Sequence, residues 1–245
     1  MRLLVVLKTE IDRPYLLSVD YSTNILYYSY NIDMNDNVLY KTAYINLNTK
    51  EADDVPGVTN GFAQTVDQKT HEVYIGGSDG IYKYNHKSKK AELFGASGAD
   101  IWTIYYKDNL YYSDFPKQFL YTYIDGVSTR FHDLEDTKVD HFVIDNEDML
   151  FYTNASGLFG QKKGTKDAVL FKTNKSVRSL TTDINGNIYL CEIDDVYKVN
   201  KETHGIDKVI DVDDCFGLAF DNENNLIYSN ATCLVRLMPN LNKRC

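Results

Sequence analysis

The chain has 245 residues, 43% of them hydrophobic and 13% aromatic, with no low-complexity run; that composition supports a sizeable core and excludes a disordered protein. A formal net charge of -9 excludes a nucleic-acid binder, because phosphate affinity comes from clustered Lys and Arg. The longest apolar run, Leu3 to Leu7, is far shorter than the roughly 20 residues that span a bilayer, and shorter than the roughly 7 to 15 of a signal-peptide core. Neither a membrane segment nor a leader is expected.

In chain order, Leu3 to Thr9 reads as a β-strand. "LLSVDYSTNILYYSY", from Leu16 to Tyr30, then reads as an apolar strand, an Asp-led turn and a Tyr-rich strand. The phrase returns as "AQTVDQKTHEVYIGG", "WTIYYKDNLYYSD", "HFVIDNEDMLFYTN", "SLTTDINGNIYLCE" and "GLAFDNENNLIYSN". Its second strand opens at Leu26, Val73, Leu110, Leu150, Ile188 and Leu226, and a third strand centres on Leu39, Ile81, Leu120, Leu158, Val196 and Leu234. Both marks recur about every 40 residues, the period of propeller blades built from several short strands. Tyr, Val, Ile and Thr enrichment with polar turns supports strands throughout, and no convincing amphipathic helix appears.

These observations predict an all-β, six-bladed β-propeller filling residues 1–245 as a single domain. The sixth unit lacks a clear fourth strand and the N-terminal strand lacks a blade, so the last blade is expected to be closed by the N-terminal strand, which pairs an otherwise open edge.

The repeat accounts for most conspicuous residues. Tyr27, Tyr74, Tyr111, Phe151 and Tyr189 share one position in the second strand and are expected to pack between blades. Asp20, Asp67, Asp145, Asp183 and Asp221 open the first turn, where an Asp side chain bonds the backbone two residues on. "IGGSDG", Ile75 to Gly80, reads as a strand end and tight turn. The four cysteines show no C-x-x-C spacing for zinc or thiol redox chemistry. Their places in the blades admit a Cys215–Cys233 disulfide, with Cys191 as a competing partner and free thiols as the third arrangement. The sequons at Asn154, Asn174 and Asn230 are no more than this composition produces by chance.

A propeller's function sits where the innermost strands enter the channel. The residues about five before each turn Asp, one per blade, read Tyr15, Phe62, Trp102, Phe142, Arg178 and Phe216; five are aromatic and one is the sole Trp. Arg13, Asn60, Asp100, Asp140 and His141 lie at the same level. Flat rings with a few convergent polar groups suit a small aromatic ligand, with Arg178 and Arg13 able to meet a carboxylate. In the competing reading these rings plug the channel, which leaves Arg and His at that level without a purpose. G-x-S-x-G, H-E-x-x-H and G-x-x-x-x-G-K-[ST] signatures are absent.

With "VDYSTNILYYSY", "VDQKTHEVYIGGSDGIYKYN" and "YINLNT" in view, the chain resembles the insect ommochrome-binding proteins over almost its full length. The resemblance implies a secreted haemolymph carrier of tryptophan-derived pigments, although this sequence shows no leader. More distantly the chain is similar to the gluconolactonase and regucalcin group, whose fold holds a divalent ion in the channel through Glu and Asn/Asp. Here the blade-one position reads Arg13-Pro14-Tyr15 with no Glu, leaving Asn60, Asp100 and Asp140 as the candidate metal ligands.

The resulting expectation is a monomer, with no required cofactor, nucleic acid or membrane partner, that binds and transports an aromatic, acidic small molecule such as an ommochrome. A metal-dependent lactonase-like hydrolase and a protein-interaction propeller are the alternatives.

Overall fold

The computed structural model describes residues 2–34 and 37–239. Six four-stranded antiparallel sheets are present, and their innermost strands contact each neighbour in turn until the sixth meets the first. This is the six-bladed propeller expected from the repeat. Among the described residues, the only helical turn is a short 3-10 segment, His132–Leu134. No helix there is long and apolar enough to cross a membrane.

The closure also follows the sequence. Arg2–Thr9 is the outermost strand of the sixth blade and runs antiparallel to Cys233–Pro239, from Arg2 opposite Pro239 to Thr9 opposite Cys233. Bonds from Ile11 N to Thr232 O at 3.2 Å and from Arg13 N to Ala231 O at 2.9 Å then carry the chain into blade one. The Ser229 hydroxyl donates to Pro14 O at 2.6 Å beneath them.

The core is divided into six clusters, one at each blade-to-blade interface. The repeated aromatic position fills several of them. Tyr27 meets Tyr84 of the next blade at 5.9 Å, Tyr111 meets Phe142 at 5.3 Å, and Tyr189 meets Phe220 at 4.7 Å. Burying one such ring contributes roughly 2 to 3 kcal/mol, and its twisted geometry favours tilted or edge contacts.

The turn aspartates behave as predicted. Each accepts the backbone N–H two residues on: Ser22 N to Asp20 at 3.0 Å, Lys69 N to Asp67 at 2.9 Å, Glu147 N to Asp145 at 2.8 Å, Asn185 N to Asp183 at 3.0 Å and Glu223 N to Asp221 at 2.9 Å. Blade three lacks the Asp because its first turn is shorter, with Lys107 directly opposite Asn109.

Two further sequence readings were tested by the fold. The glycine-rich "IGGSDG" is a strand end and hairpin, with Gly77 opposite Gly80. The Cys215–Cys233 disulfide is not formed: Cys191, Cys215 and Cys233 are free thiols. The interface between blades five and six sets Cys215 beside Cys191, while the Cys233 thiol is turned to Asn230 Oδ1 at 3.0 Å. Cys245 lies outside the described residues.

Candidate functional site

The channel has two differently built ends. At the end where each innermost strand begins, Tyr15, Phe62, Trp102 and Phe216 form a half-buried aromatic collar. Ring centroids are 5.5 Å apart for Tyr15 and Phe216, 5.7 Å for Tyr15 and Phe62, and 5.0 Å for Phe62 and Trp102. The remaining arc is polar. Arg178 lies with its guanidinium 4.8 Å from the Phe216 ring centre and donates to Asp214 Oδ1 at 2.7 Å and Cys215 O at 3.3 Å.

Phe142 does not belong to the collar. In blade four the residue five before the turn Asp is Asp140, and its N–H bonds Thr153 O at 2.8 Å, as the N–H groups of Arg178 and Phe216 bond Cys191 O and Ser229 O in their own blades. Phe142, two residues further, lines the cavity below the collar, with its ring packed in the interface with blade three against Tyr111 and Tyr105. The collar therefore carries a carboxylate where an aromatic was expected. Asp140 accepts from Gln118 Nε2, and burial raises its pKa above the usual carboxylate value while the Gln118 bond opposes that rise.

The other predicted polar residues are largely engaged. Arg13 is exposed and forks onto Asp12 at 2.9 and 3.3 Å, so neither predicted arginine is free for a ligand without exchanging its partner. Asn60 Oδ1 accepts the Tyr40 N–H at 2.7 Å. Asp100 is partly buried, which raises its pKa. No group of three or more His, Cys, Asp or Glu among the described residues is placed to hold a metal. Of the candidate cation donors, Asn60 is turned to Tyr40 and Asp140 to Gln118.

Four collar contributors escaped the sequence reading. Tyr40 sits 4.5 Å from Phe62, Phe115 sits 5.5 Å from Trp102, and Gln118 and Asp214 pair with Asp140 and Arg178. Tyr40 had a legible signal in the long first repeat interval. Blade one's second and third strands, Ile25–Met34 and Asn37–Asn46, are 10 residues each, and the third carries Tyr40 to the collar. The others lie on loops whose approach to the channel has no sequence period.

Directly beneath the collar begins a cavity of about 500 Å³ that runs down the channel to the first-turn face. Its upper wall is formed by Leu16, Ala63, Thr103, His141, Ser179 and Leu218. Each follows its blade's collar-level residue by one or two positions. The innermost strand of every blade is a sheet edge, so backbone groups without a ladder partner converge on the channel. Some are capped from adjacent blades: Thr65 accepts the Tyr106 N–H at 3.0 Å and Ser179 the Leu218 N–H at 3.2 Å. Gln64, 5% exposed, donates to Leu16 O and leaves its own Oε1 buried without a partner.

His141 lines this cavity and is part-buried. Its backbone N–H donates to Thr153 Oγ1 at 3.2 Å within the strand ladder; no hydrogen bond holds either ring nitrogen. Burial pushes its pKa down to about 4, so the ring is neutral at physiological pH and can donate or accept. Among the cavity-lining residues the formally charged ones are Asp67, Lys69, Lys107, Asp108 and Asp183, all at the first-turn end.

Fold and site together define a six-bladed β-propeller with a channel of small-molecule size. No protein-family model matches the sequence. The chain is 31% identical over 239 residues to the ommochrome-binding protein of Manduca sexta, covering 96% of this chain and 86% of that protein. It belongs to the ommochrome-binding protein family. Solved structures agree on the fold: a gluconolactonase of Xanthomonas campestris superimposes with a TM-score of 0.76 at 11% identity, covering 97% of this chain and 89% of that one. A WD40 propeller domain gives 0.66 at 12% identity over 98% and 92% of the two chains. A streptogramin B lyase gives 0.63 at 9% over 96% and 97%. At these identities the likeness shows the architecture alone, which hosts unrelated functions.

Proposed function

We propose that this chain binds a small aromatic, acidic molecule of the ommochrome kind in its channel and carries it without transforming it. The observation that carries the reading is the cavity of about 500 Å³ in the channel of a chain belonging to a family named for pigment binding. That volume is within the range of small-molecule sites. Its wall combines aliphatic and aromatic side chains with a few unpaired polar groups, so a flat ring system is held by packing and oriented by hydrogen bonds. The collar lies over one end of this region, with packed rings on four blades and the engaged Arg178 and Asp140 on the other two.

Secretion and a haemolymph setting come with the family resemblance, and they form part of the proposal together with action as a monomer. The metal-dependent hydrolase reading draws on architecture alone, and two of the three donors that would hold its cation, Asn60 and Asp140, are turned to other partners.

Trp102, the sole Trp, sits directly above the cavity and reports occupancy. Titration with an ommatin at micromolar concentrations is expected to quench its fluorescence along a saturable curve. A flat titration, or lactone hydrolysis that appears with a divalent cation and vanishes in Asp100→Ala, would overturn the carrier reading.

A further inference from the structure

We propose that the acidic aromatic ligand enters the channel through the first-turn face, uncharged end first, hydrogen-bonds His141 at the inner end and leaves its carboxylates at the rim beside Lys69 and Lys107. This inference rests on the carrier reading and adds the route, the orientation and the residue that reads the inner end.

Access supports the route. At the collar, three consecutive ring contacts of 5.0 to 5.7 Å run from Trp102 through Phe62 and Tyr15 to Phe216, and none of these rings lines the cavity. At the opposite end the lining includes the exposed residues Gln68, Asn146 and Ile184. A ligand arriving there meets open solvent-facing wall, whereas at the collar packed rings cover the sector from blade six to blade three and the Arg178–Asp214 ion pair and Asp140–Gln118 hydrogen bond stand in the remaining arc.

Charge supports the orientation. The wall between the collar and the first turns carries no Lys, Arg, Asp or Glu, and the charged lining is confined to the first-turn rim. A carboxylate driven inward would lose its water and find no cation, which costs far more than burying a neutral ring. At the rim it keeps its hydration; Asp67 and Asp183 there are held by their own turns, and the ligand carboxylate can take the place of the exposed Asp108 on the more exposed Lys69, a pair now at 2.6 Å. Lys107 donates to Asp145 O beside it.

Unused hydrogen-bonding capacity supports the inner contact. The His141 ring lines the cavity one residue below the collar level, and no protein group bonds its nitrogens. These ring nitrogens keep unused donor and acceptor capacity, and a phenolic or amino group on the leading edge of a flat ligand supplies a partner for one of them.

The test is binding of an ommatin followed by equilibrium dialysis and visible absorbance, with folding checked by circular dichroism. Thr181 faces the lower channel from blade five, and Thr181→Trp is expected to weaken binding at least tenfold by filling the route. Ser18→Trp fills it from blade one and serves if Thr181→Trp does not fold. His141→Ala is expected to weaken binding about tenfold, the size of one lost buried hydrogen bond. Unchanged affinity in a folded channel-filling variant overturns the route, and unchanged affinity in His141→Ala overturns the orientation; in both cases the wild-type titration leaves the carrier reading standing. Absence of binding by the wild-type protein removes both.

Discussion

The two ends of the channel are built from the same repeat and solve opposite problems. At the first-turn end, five blades present a buried Asp that accepts from its own turn and in several cases also meets a basic side chain from elsewhere, so polar groups are locked in place and the mouth stays open. At the collar end the repeat stops being interchangeable: four blades supply rings, one supplies Arg178 and one Asp140. Large flat side chains facing a common axis gain more from contact with one another than from water, and the collar closes. A channel residue's chemistry therefore says less about access than whether its neighbours can satisfy it.

The comparison is broken most strongly at Asp221. Its carboxylate is fully buried, pairs with the buried Arg236 and also accepts from Glu223 N, Asn225 N and Asn225 Nδ2. Asp221→Ala is expected to cost about 3 to 5 kcal/mol by urea denaturation, because it leaves an unpaired buried guanidinium. Asp67→Ala, which removes a turn former without a buried ion-pair partner, is expected to cost only about 1 to 2 kcal/mol. Equal losses would mean that the turn, not the ion pair, sets rigidity at this end.

A smaller effect is confined to acid and centres on His141. In the unfolded chain its imidazole titrates at 6.5, and in the folded protein at about 4. Between those values the unfolded state binds the extra proton, so this residue's contribution to stability is full above pH 6.5 and falls as pH is lowered toward 4. In denaturation curves measured across that window, the wild-type protein is expected to lose stability relative to His141→Gln as the solution is acidified. Parallel pH profiles would place the His141 ring in contact with bulk water rather than the cavity.

The smallest effect is expected in the collar's polar arc. Arg178 and Asp214 are each about one third exposed, so Arg178→Met is expected to change stability by under about 1 kcal/mol, and the change should shrink with added salt. A salt-independent loss of several kcal/mol would show instead that Arg178 ties blade five to blade six as part of the collar's packing.

Much of this was legible in the sequence because it repeats. Leu26 and its five counterparts count the blades, the Asp at each first turn marks where strands reverse, and the surplus strand at Leu3 to Thr9 points to the clasp. The site was legible only in part. Tyr15, Phe62, Trp102 and Phe216 were found by counting back from the turn, and Phe142 was misplaced because an aromatic two residues off register drew attention from Asp140. Tyr40, Phe115, Gln118 and Asp214 reach the collar from other strands or loops. Their contribution depends on where a non-repeating segment lands, which no local pattern records.

By itself, then, the sequence determined the number of blades, their order, the closing strand and the level at which the blades differ, since each follows from short-range alternation and a period near 40 residues. Only the tertiary structure decided that the collar rings close on one another, that Arg178 is held by Asp214, that Cys215 lies beside Cys191 rather than Cys233, and that the cavity opens at the opposite face. Those outcomes turn on distances between side chains from different blades, and such distances are set by ring closure and packing rather than by any one repeat.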